Sequence, residues 1–484
     1  MPNVVAVGLL LLSSVAPHWI GTQVDLSDWS RKGDVAINGT QTAHLGPGKA
    51  SLTQRFPVGG LHVVYFGAQA KSSAPVPKVQ VRLECLDAKG RELMSLTALT
   101  DPKKNPSEAG IYLKTQAFTA SIVVSIEKLD SAGEADVSEV KLEDDDRERK
   151  SFRPMMSLDD YMTPIWIGNV VHNETVLMQA DDAGRITGHL LFKPEKILSV
   201  RDYGLDQSFQ SGVDYSVSGK TITELPGSKM PYVKSDFFEK GDLKWFTLLG
   251  HHVVVTYEHR DSYNGLVPAA GGARLPKTVA RLQEKRPLSI VAYGDSITLG
   301  NGTSAFTQIP PYMPTWAELA VYKLKKLYSD SSIKLYNAAL GGMTSDWGAD
   351  NAEKTVAALK PDLVLIAFGM NDFWWMPSDR FQSNVKAIMA SVLARNPKTE
   401  FILIAPMRFN PLYTTDPQYV DRLASYSPAL KALQREGVEV LDMTAVTRSL
   451  FAAKPANDCY ADPLHPNDFL ARWYAQGVVR CLRP

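Results

Sequence analysis

The sequence predicts an α/β fold over its last two-fifths, a five-stranded parallel sheet covered by helices on both faces, with β-sandwich structure ahead of it. Three observations predict this. From residue 288 onward, apolar runs of strand length alternate with amphipathic stretches long enough for helices. Between about residues 19 and 143, short runs alternate apolar and polar residues and are separated by Gly, Pro, Ser and Lys turns. The run Leu288-Ser289-Ile290-Val291-Ala292-Tyr293 stops abruptly at Gly294-Asp295-Ser296-Ile297-Thr298, as a buried strand does when a glycine turn closes it.

Taken in order, residues 4–16 (VVAVGLLLLSSVA) form an apolar run of signal-peptide length, too short to span a bilayer. No Lys or Arg precedes Arg31, and a buried first strand is the competing reading. The expectation is a signal peptide over 1–18 and a secreted or periplasmic protein. Residues 19–145 follow as a β-sandwich whose strands include Leu61-His62-Val63-Val64-Tyr65-Phe66, Val79-Gln80-Val81-Arg82-Leu83 and Ser121-Ile122-Val123-Val124-Ser125-Ile126. Its closing run, Val137-Ser138-Glu139-Val140-Lys141-Leu142, resembles the last strand of the jelly-roll modules found beside carbohydrate-active enzymes. The charge run from Glu143 to Lys150 reads as a solvated linker.

Residues 153–265 form a second β-rich domain, with Thr175-Val176-Leu177-Met178, His189-Leu190-Leu191-Phe192 and His252-Val253-Val254-Val255-Thr256-Tyr257 as strands. Turn signals at Asp182-Ala183-Gly184 and Ser218-Gly219 fit a second small sandwich or the other half of the first. Residues 264–272 read as a linker and 277–285 as a short helix. The α/β domain then occupies 286–484. Its strands are expected at 288–293, 333–340, 363–368, 401–405 and 438–441, and its helices at 316–328, 351–359, 381–394, 423–436 and 469–481. Strands joined through helices make right-handed parallel crossovers, and such sheets bind ligands beyond the carboxyl ends of their strands.

Composition narrows the function classes. Lys+Arg and Asp+Glu both number 52, so the chain carries no electrostatic footprint for nucleic acid or an anionic membrane, and a neutral partner is the simpler expectation. At 484 residues and ~150 residues per domain there is room for about three domains. No other stretch approaches ~18 uninterrupted apolar residues, so no membrane span is expected. Cys85, Cys459 and Cys481 form no zinc-type cluster, and neither metal nor cofactor is called for. Cys459 and Cys481 could pair and tie down the loop between them, leaving Cys85 as a buried strand thiol; spacing alone does not decide this. Nothing in the sequence sets the oligomeric state.

Five positions carry chemistry. A serine hydroxyl is a weak nucleophile at neutral pH, so acyl transfer from Ser296 requires an imidazole to take its proton and pass it to the leaving alcohol. His465 is the candidate, with Asp462 three residues earlier, in Asp462-Pro463-Leu464-His465-Pro466, to fix its tautomer. Flanking prolines stiffen that loop. The oxyanion needs fixed donors, each worth roughly 3–4 kcal/mol of barrier. The backbone N–H groups of Ser296 and Gly342 and the side-chain amide of Asn371, in Gly369-Met370-Asn371-Asp372, are the candidates. Alone, each reads as an ordinary turn or cap residue. In order, each just past a strand or in the last loop, they read as an ester hydrolase.

The blocks Gly294-Asp295-Ser296-Ile297-Thr298, Asn337-Ala338-Ala339-Leu340-Gly341-Gly342-Met343-Thr344, Gly369-Met370-Asn371-Asp372 and Asp462-Pro463-Leu464-His465-Pro466-Asn467 resemble those of the SGNH (GDSL-type) hydrolases. The resemblance covers residues 286–484. It implies a flavodoxin-like three-layer α/β/α domain, Ser296 as nucleophile, Ser296, Gly342 and Asn371 as oxyanion donors, and His465 with Asp462 as base. Gly341 adjoins Gly342, which is chosen because it lies five residues after Asn337.

Aromatic loop residues suggest the substrate. Trp316, Trp347, Trp374 and Trp375 could stack on sugar rings and narrow the acyl pocket toward acetyl, with Arg408 at the rim suited to an acidic sugar. Two β-rich segments ahead of such a domain resemble the layout of multidomain carbohydrate esterases, which implies an esterase deacetylating O-acetylated polysaccharide or oligosaccharide. A lipase or lysophospholipase-like acylhydrolase is the alternative, and a carbohydrate-binding protein with an inert hydrolase domain a second.

Overall fold

The computed structural model describes residues 22–58, 63–72, 77–100, 105–115, 119–131, 133–144, 154–240, 246–307, 309–328 and 332–483. The expected signal segment and residues 145–150 of the charge run lie outside them. The chain divides into two compact units, Met1–Arg153 and Pro154–Pro484.

The first unit is antiparallel and sandwich-like. One sheet orders Val35–Asn38, Thr42–Leu45, Ala135–Asp144, Val63–Ser72 and Ser107–Lys114; the other orders Ser30–Lys32, Ala50–Phe56, Ser121–Lys128, Val79–Leu86 and Glu92–Leu99. Alternation makes the core: in Val79–Leu86, Val79, Val81, Leu83 and Cys85 are buried while the residues between them are partly exposed. Each such aliphatic side chain contributes about 1.5–3 kcal/mol over leaving it in water. Cys85 is a free, buried thiol on that strand, as expected.

The β-rich stretch after residue 153 does not form a unit of its own; it packs with the α/β part in the second unit. It contains a sheet ordering Val170–Leu177, His252–His259, Pro194–Asp202 and Ser208–Phe209, and a second ordering Gln179–Ala180, Ile186–His189, Thr221–Glu224 and Tyr215–Ser218. The reason for the union is the last helix, Asp468–Cys481, which is buried on all sides, Arg472 and Gln476 included. A surface helix would keep a polar face in water. Here that face is covered by the β-rich stretch. Arg472 donates from Nε to Tyr161 O at 3.0 Å and from Nη1 to His172 O at 2.6 Å. Gln476 Nε2 donates to Tyr161 O at 3.0 Å and Thr163 O at 2.9 Å, and its Oε1 accepts from Ile165 N at 3.1 Å. Trp473 lies between Trp166 and Tyr263, with ring centroids 5.2 and 5.3 Å away.

The α/β part holds five parallel strands, Leu288–Gly294, Ile333–Asn337, Leu363–Ala367, Glu400–Ala405 and Val438–Asp442. Across the sheet they stand second, first, third, fourth, fifth, which is the flavodoxin-like order. Helices Ser345–Thr355, Ser378–Arg395 and Pro417–Lys431 pack in succession, and Trp316–Leu327 packs on Asp468–Cys481. The second strand ends at Asn337, before the expected 340, because that side chain makes a turn: Oδ1 accepts from Ala339 N at 3.2 Å and Nδ2 donates to Thr298 O at 3.0 Å. Helix Met443–Ala453 was not foreseen. Its Thr- and Val-rich start masks it, but Asp442 caps it by accepting from Ala445 N at 3.0 Å. Cys459 and Cys481 are both free and separately buried, so the disulfide considered between them is absent. Among the described residues no helix is long and apolar enough to cross a membrane.

Candidate active site

The first strand of the parallel sheet ends at Gly294, where a Cβ would lie 2.2 Å from Ala367 O and 2.3 Å from Thr298 Oγ1. Only glycine lets the turn press that closely on the neighbouring strand. Asp295 then caps the short helix Ser296–Leu299, its Oδ1 accepting from Ile297 N at 3.0 Å. Its other oxygen accepts from Met370 N at 3.3 Å, so one carboxylate ties the Ser296 turn to the loop carrying Asn371. Burial pushes the Asp295 carboxyl up to about 7 against the pull of those backbone donors. Nearby, burial likewise raises Asp372 to about 6, while Asp372 Oδ1 accepts from Ser345 N at 2.8 Å and Ser345 Oγ at 2.5 Å.

His465 Nε2 lies 3.0 Å from Ser296 Oγ, and His465 Nδ1 lies 2.9 Å from Asp462 Oδ2. All three residues are buried. With a carboxylate at Nδ1, that nitrogen carries the proton and Nε2 is left to accept from the serine hydroxyl. Asp462 is held in turn: Oδ1 accepts from Leu464 N and His465 N, both at 2.8 Å, closing a tight turn around the carboxylate. The arrangement can draw a proton from Ser296 Oγ toward a supported imidazole.

Gly342 sits at φ +77°, a left-handed turn position that glycine occupies without strain. A Cβ on its neighbour Gly341 would come 3.7 Å from Ser296 Cβ, so this turn lies against the serine. Asn371 Nδ2 donates to Met343 O at 2.9 Å, bracing the two loops and leaving its second N–H for another acceptor. The segments bearing Ser296, Gly342 and Asn371 thus meet beyond the ends of three adjacent strands.

The aromatic expectations divide. Trp316 is not at the cleft: it is fully buried, packs on Tyr474 at 5.8 Å, and donates from Nε1 to Ile297 O at 2.9 Å, bracing the helix that follows Ser296. An indole at the first position of a helix packed against the sheet finds the core before it finds the cleft. Trp347 is half-buried against Tyr293, with centroids 5.8 Å apart. Trp374 and Trp375 are exposed, by 42% and 59%, in the loop after Asn371. Arg408 is half-buried and lines a groove beside that loop.

Two contributors escaped the sequence. Phe246, from the β-rich stretch, donates its backbone N–H to Asp462 Oδ2 at 3.3 Å and lies with its ring 5.7 Å from that of His465. Leu248 N donates to Ala461 O at 3.0 Å, fixing the same loop. Asp458 is the other: its Oδ1 accepts from Leu177 N at 2.7 Å, and Lys454 Nζ stands 2.7 Å from its Oδ2 and 2.6 Å from Glu174 Oε1, all essentially buried. The only signal available was the i,i+4 Lys–Asp spacing.

Residues 292–472 match the model of the GDSL-like lipase/acylhydrolase family. No curated protein matches the chain. Among solved structures, a two-domain esterase (CEX) active on acetylated mannans is similar at 22% identity, over 46% of this chain and 56% of that one, with a TM-score of 0.34. A catalytic mutant of Axe2, an acetylxylan esterase from Geobacillus stearothermophilus, is similar at 22% identity over 40% of this chain and 94% of that one, with a TM-score of 0.34. The lipase/acylhydrolase from Enterococcus faecalis is similar at 21% identity over 40% and 94%, with a TM-score of 0.32. This chain thus spans little more than half the length of the mannan esterase. The α/β part of the chain thus carries both the match to the GDSL-like lipase/acylhydrolase family model, over residues 292–472, and a sheet of flavodoxin-like order.

Proposed function

We propose that the protein is a serine esterase that removes acetyl groups from O-acetylated polysaccharide or oligosaccharide through an acyl-enzyme on Ser296. The observation that carries the reading is the hydrogen-bonded chain from Ser296 Oγ through His465 to Asp462, with spacings of 3.0 and 2.9 Å. In this reading Ser296 Oγ bonds to the acetyl carbon while His465 Nε2 takes the hydroxyl proton. The N–H groups of Ser296 and Gly342 and the free N–H of Asn371 hold the oxyanion. Collapse breaks the bond to the sugar oxygen, which leaves with the proton from His465. A water then repeats the sequence on the acyl-enzyme and releases acetate.

The short acyl group is favoured by crowding. Ser296 is only 6% exposed and the Phe246 ring stands beside His465. Trp374 and Trp375 offer exposed faces on which a sugar ring can stack. Secretion belongs to the same proposal and rests on the apolar run at residues 4–16.

Acetate release from acetylated xylan, mannan, pectin and chitin oligomers tests the reading, with 4-nitrophenyl acetate and octanoate as reporters. Wild type is expected to favour acetate over octanoate, and Ser296→Ala to lower kcat by roughly 10⁴-fold or more. Preference for octanoate would replace the acetyl assignment with the acylhydrolase one. Glycan binding without acetate release would favour the inert alternative.

A further inference from the structure

A groove of about 600 Å³ opens between the loop after strand Glu400–Ala405, the start of helix Pro417–Lys431 and helix Met443–Ala453. That volume falls within the ~300–1,000 Å³ typical of small-molecule sites. Two arginines, Arg408 and Arg448, line it together with Phe409, Phe451, Thr414 and Thr415, and no Asp or Glu is among its lining residues. Among the described residues neither guanidinium makes an ion pair, whereas Arg274, Arg281, Arg380 and Arg395 each have a carboxylate partner. A groove lined by two arginines that make no ion pair among the described residues, and by two phenylalanines, is complementary to a ring that carries a negative charge.

The groove's walls pack against the segments that carry Asn371 and Asp462. The Phe409 ring lies 4.4 Å from that of Phe373, two residues after Asn371. Arg408 O accepts a hydrogen bond from Tyr460 Oη, two residues before Asp462, and the Tyr460 ring packs 5.8 Å from Phe451. The groove thus borders the two segments that hold Asn371 and Asp462.

We propose that this groove is a subsite for a uronate residue of the substrate, with Arg408 and Arg448 holding its carboxylate and the two phenylalanines carrying its ring. The inference rests on the carbohydrate-esterase reading and adds an acidic glycan as its preferred class. Guanidinium groups bind a carboxylate through paired N–H donors, which Lys would not reproduce.

The test is calorimetric titration of the full chain carrying Ser296→Ala with oligogalacturonate and with neutral manno-oligosaccharide. Oligogalacturonate should bind more tightly, with affinity falling as salt rises. Arg448 is exposed, so its replacement leaves the core intact. Arg448→Glu, added to Ser296→Ala, should weaken oligogalacturonate binding by roughly five- to tenfold while sparing the neutral oligomer. Arg408→Gln should weaken it in the same direction. Equal affinity for the two oligomers, or indifference to Arg448→Glu, would overturn the proposal; so would displacement of oligogalacturonate by inorganic phosphate at equal concentration. Wild-type hydrolysis of 4-nitrophenyl acetate reports separately on the esterase reading, which can stand if the subsite fails.

Discussion

Asp462 accepts from Leu464 N and His465 N on one oxygen and from Phe246 N and His465 Nδ1 on the other. Every group facing it is a donor. In Asp462→Asn the new NH₂ must meet donors whichever way the amide turns, and the cheapest remedy is to move the imidazole proton to Nε2, where it blocks proton transfer from Ser296. The expected result is a fall in kcat of about 10³–10⁴ with little change in KM, read by steady-state kinetics. An unchanged kcat would remove Asp462 from the mechanism. That Ser296, His465 and Asp462 come together was legible in the sequence because few residue types suit the chemistry proposed for them. Phe246 was not, because it acts through a backbone N–H and a ring presented from a left-handed conformation at φ 64°, which no residue pattern announces. Buried carboxylates of the second unit give a second expectation. Asp295 moves from 3.8 to about 7 on folding, and Asp372 and Asp468 to about 6, chiefly through burial. The folded state thus holds protons that the unfolded chain has released. The stability this confers is complete below about pH 4 and is lost as pH rises through 6 and 7. Thermal unfolding of the second unit should therefore move to lower temperature between pH 5 and 8, by an equivalent on the order of 5 kcal/mol. Asp295→Asn should flatten that slope, whereas a midpoint that rises over the same range contradicts the assignment.

The loop carrying Asp462 and His465 is held as an element from both ends. At its start, Lys454 pairs with Glu174 and Asp458. At its end, Asn467 caps the last helix by accepting from Phe469 N and Leu470 N, and donates to Asp458 O at 2.8 Å. Glu174 is further satisfied by Leu191 N and Tyr257 Oη. Lys454→Ala leaves two buried carboxylates without their cation, a change that costs about 3–5 kcal/mol in comparable buried pairs. Urea unfolding should show that loss. kcat should fall with it, because the serine–histidine distance depends on where this loop sits. Lys454→Met, which fills the space but leaves the charges uncompensated, should be nearly as destabilised. A loss under about 1 kcal/mol would mean that the network is not what anchors the loop. Element boundaries in the parallel sheet were legible to within a few residues because its strands are continuous apolar runs. Helix Met443–Ala453 was lost because it follows its strand directly, with a shared capping Asp442 and no Gly or Pro to punctuate the change.

At the scale of the molecule, the sequence indicates β-rich regions followed by an α/β domain but misleads about where the chain divides. A composition break at residues 143–150 marks the boundary between the two units, whereas the linker-like 264–272 marks none. The last helix explains why. Thirteen of its fourteen residues are buried, and Arg472 and Gln476 find their partners among residues 161–173. Periodicity along 468–481 shows an apolar helix with polar interruptions, which looks like an ordinary half-exposed element until the covering layer is known. A chain shortened to 154–484 keeps every one of these contacts and both sides of the Asp462 turn. It should fold cooperatively and hydrolyse 4-nitrophenyl acetate at a kcat within about threefold of the full chain. A chain shortened to 286–484 strips Arg472 and Gln476 of their carbonyl partners, exposes Trp473, and leaves Lys454 and Asp458 without Glu174. Unpaired buried polar groups cost about 1–3 kcal/mol each and more when charged, so several together exceed the ~5–15 kcal/mol stability of a typical domain. That shorter chain should be insoluble or molten, measurable by near-ultraviolet circular dichroism and loss of a cooperative melt. A folded and active 286–484 would show that the β-rich stretch is an appended module after all, and would remove Phe246 and Glu174 from the working enzyme.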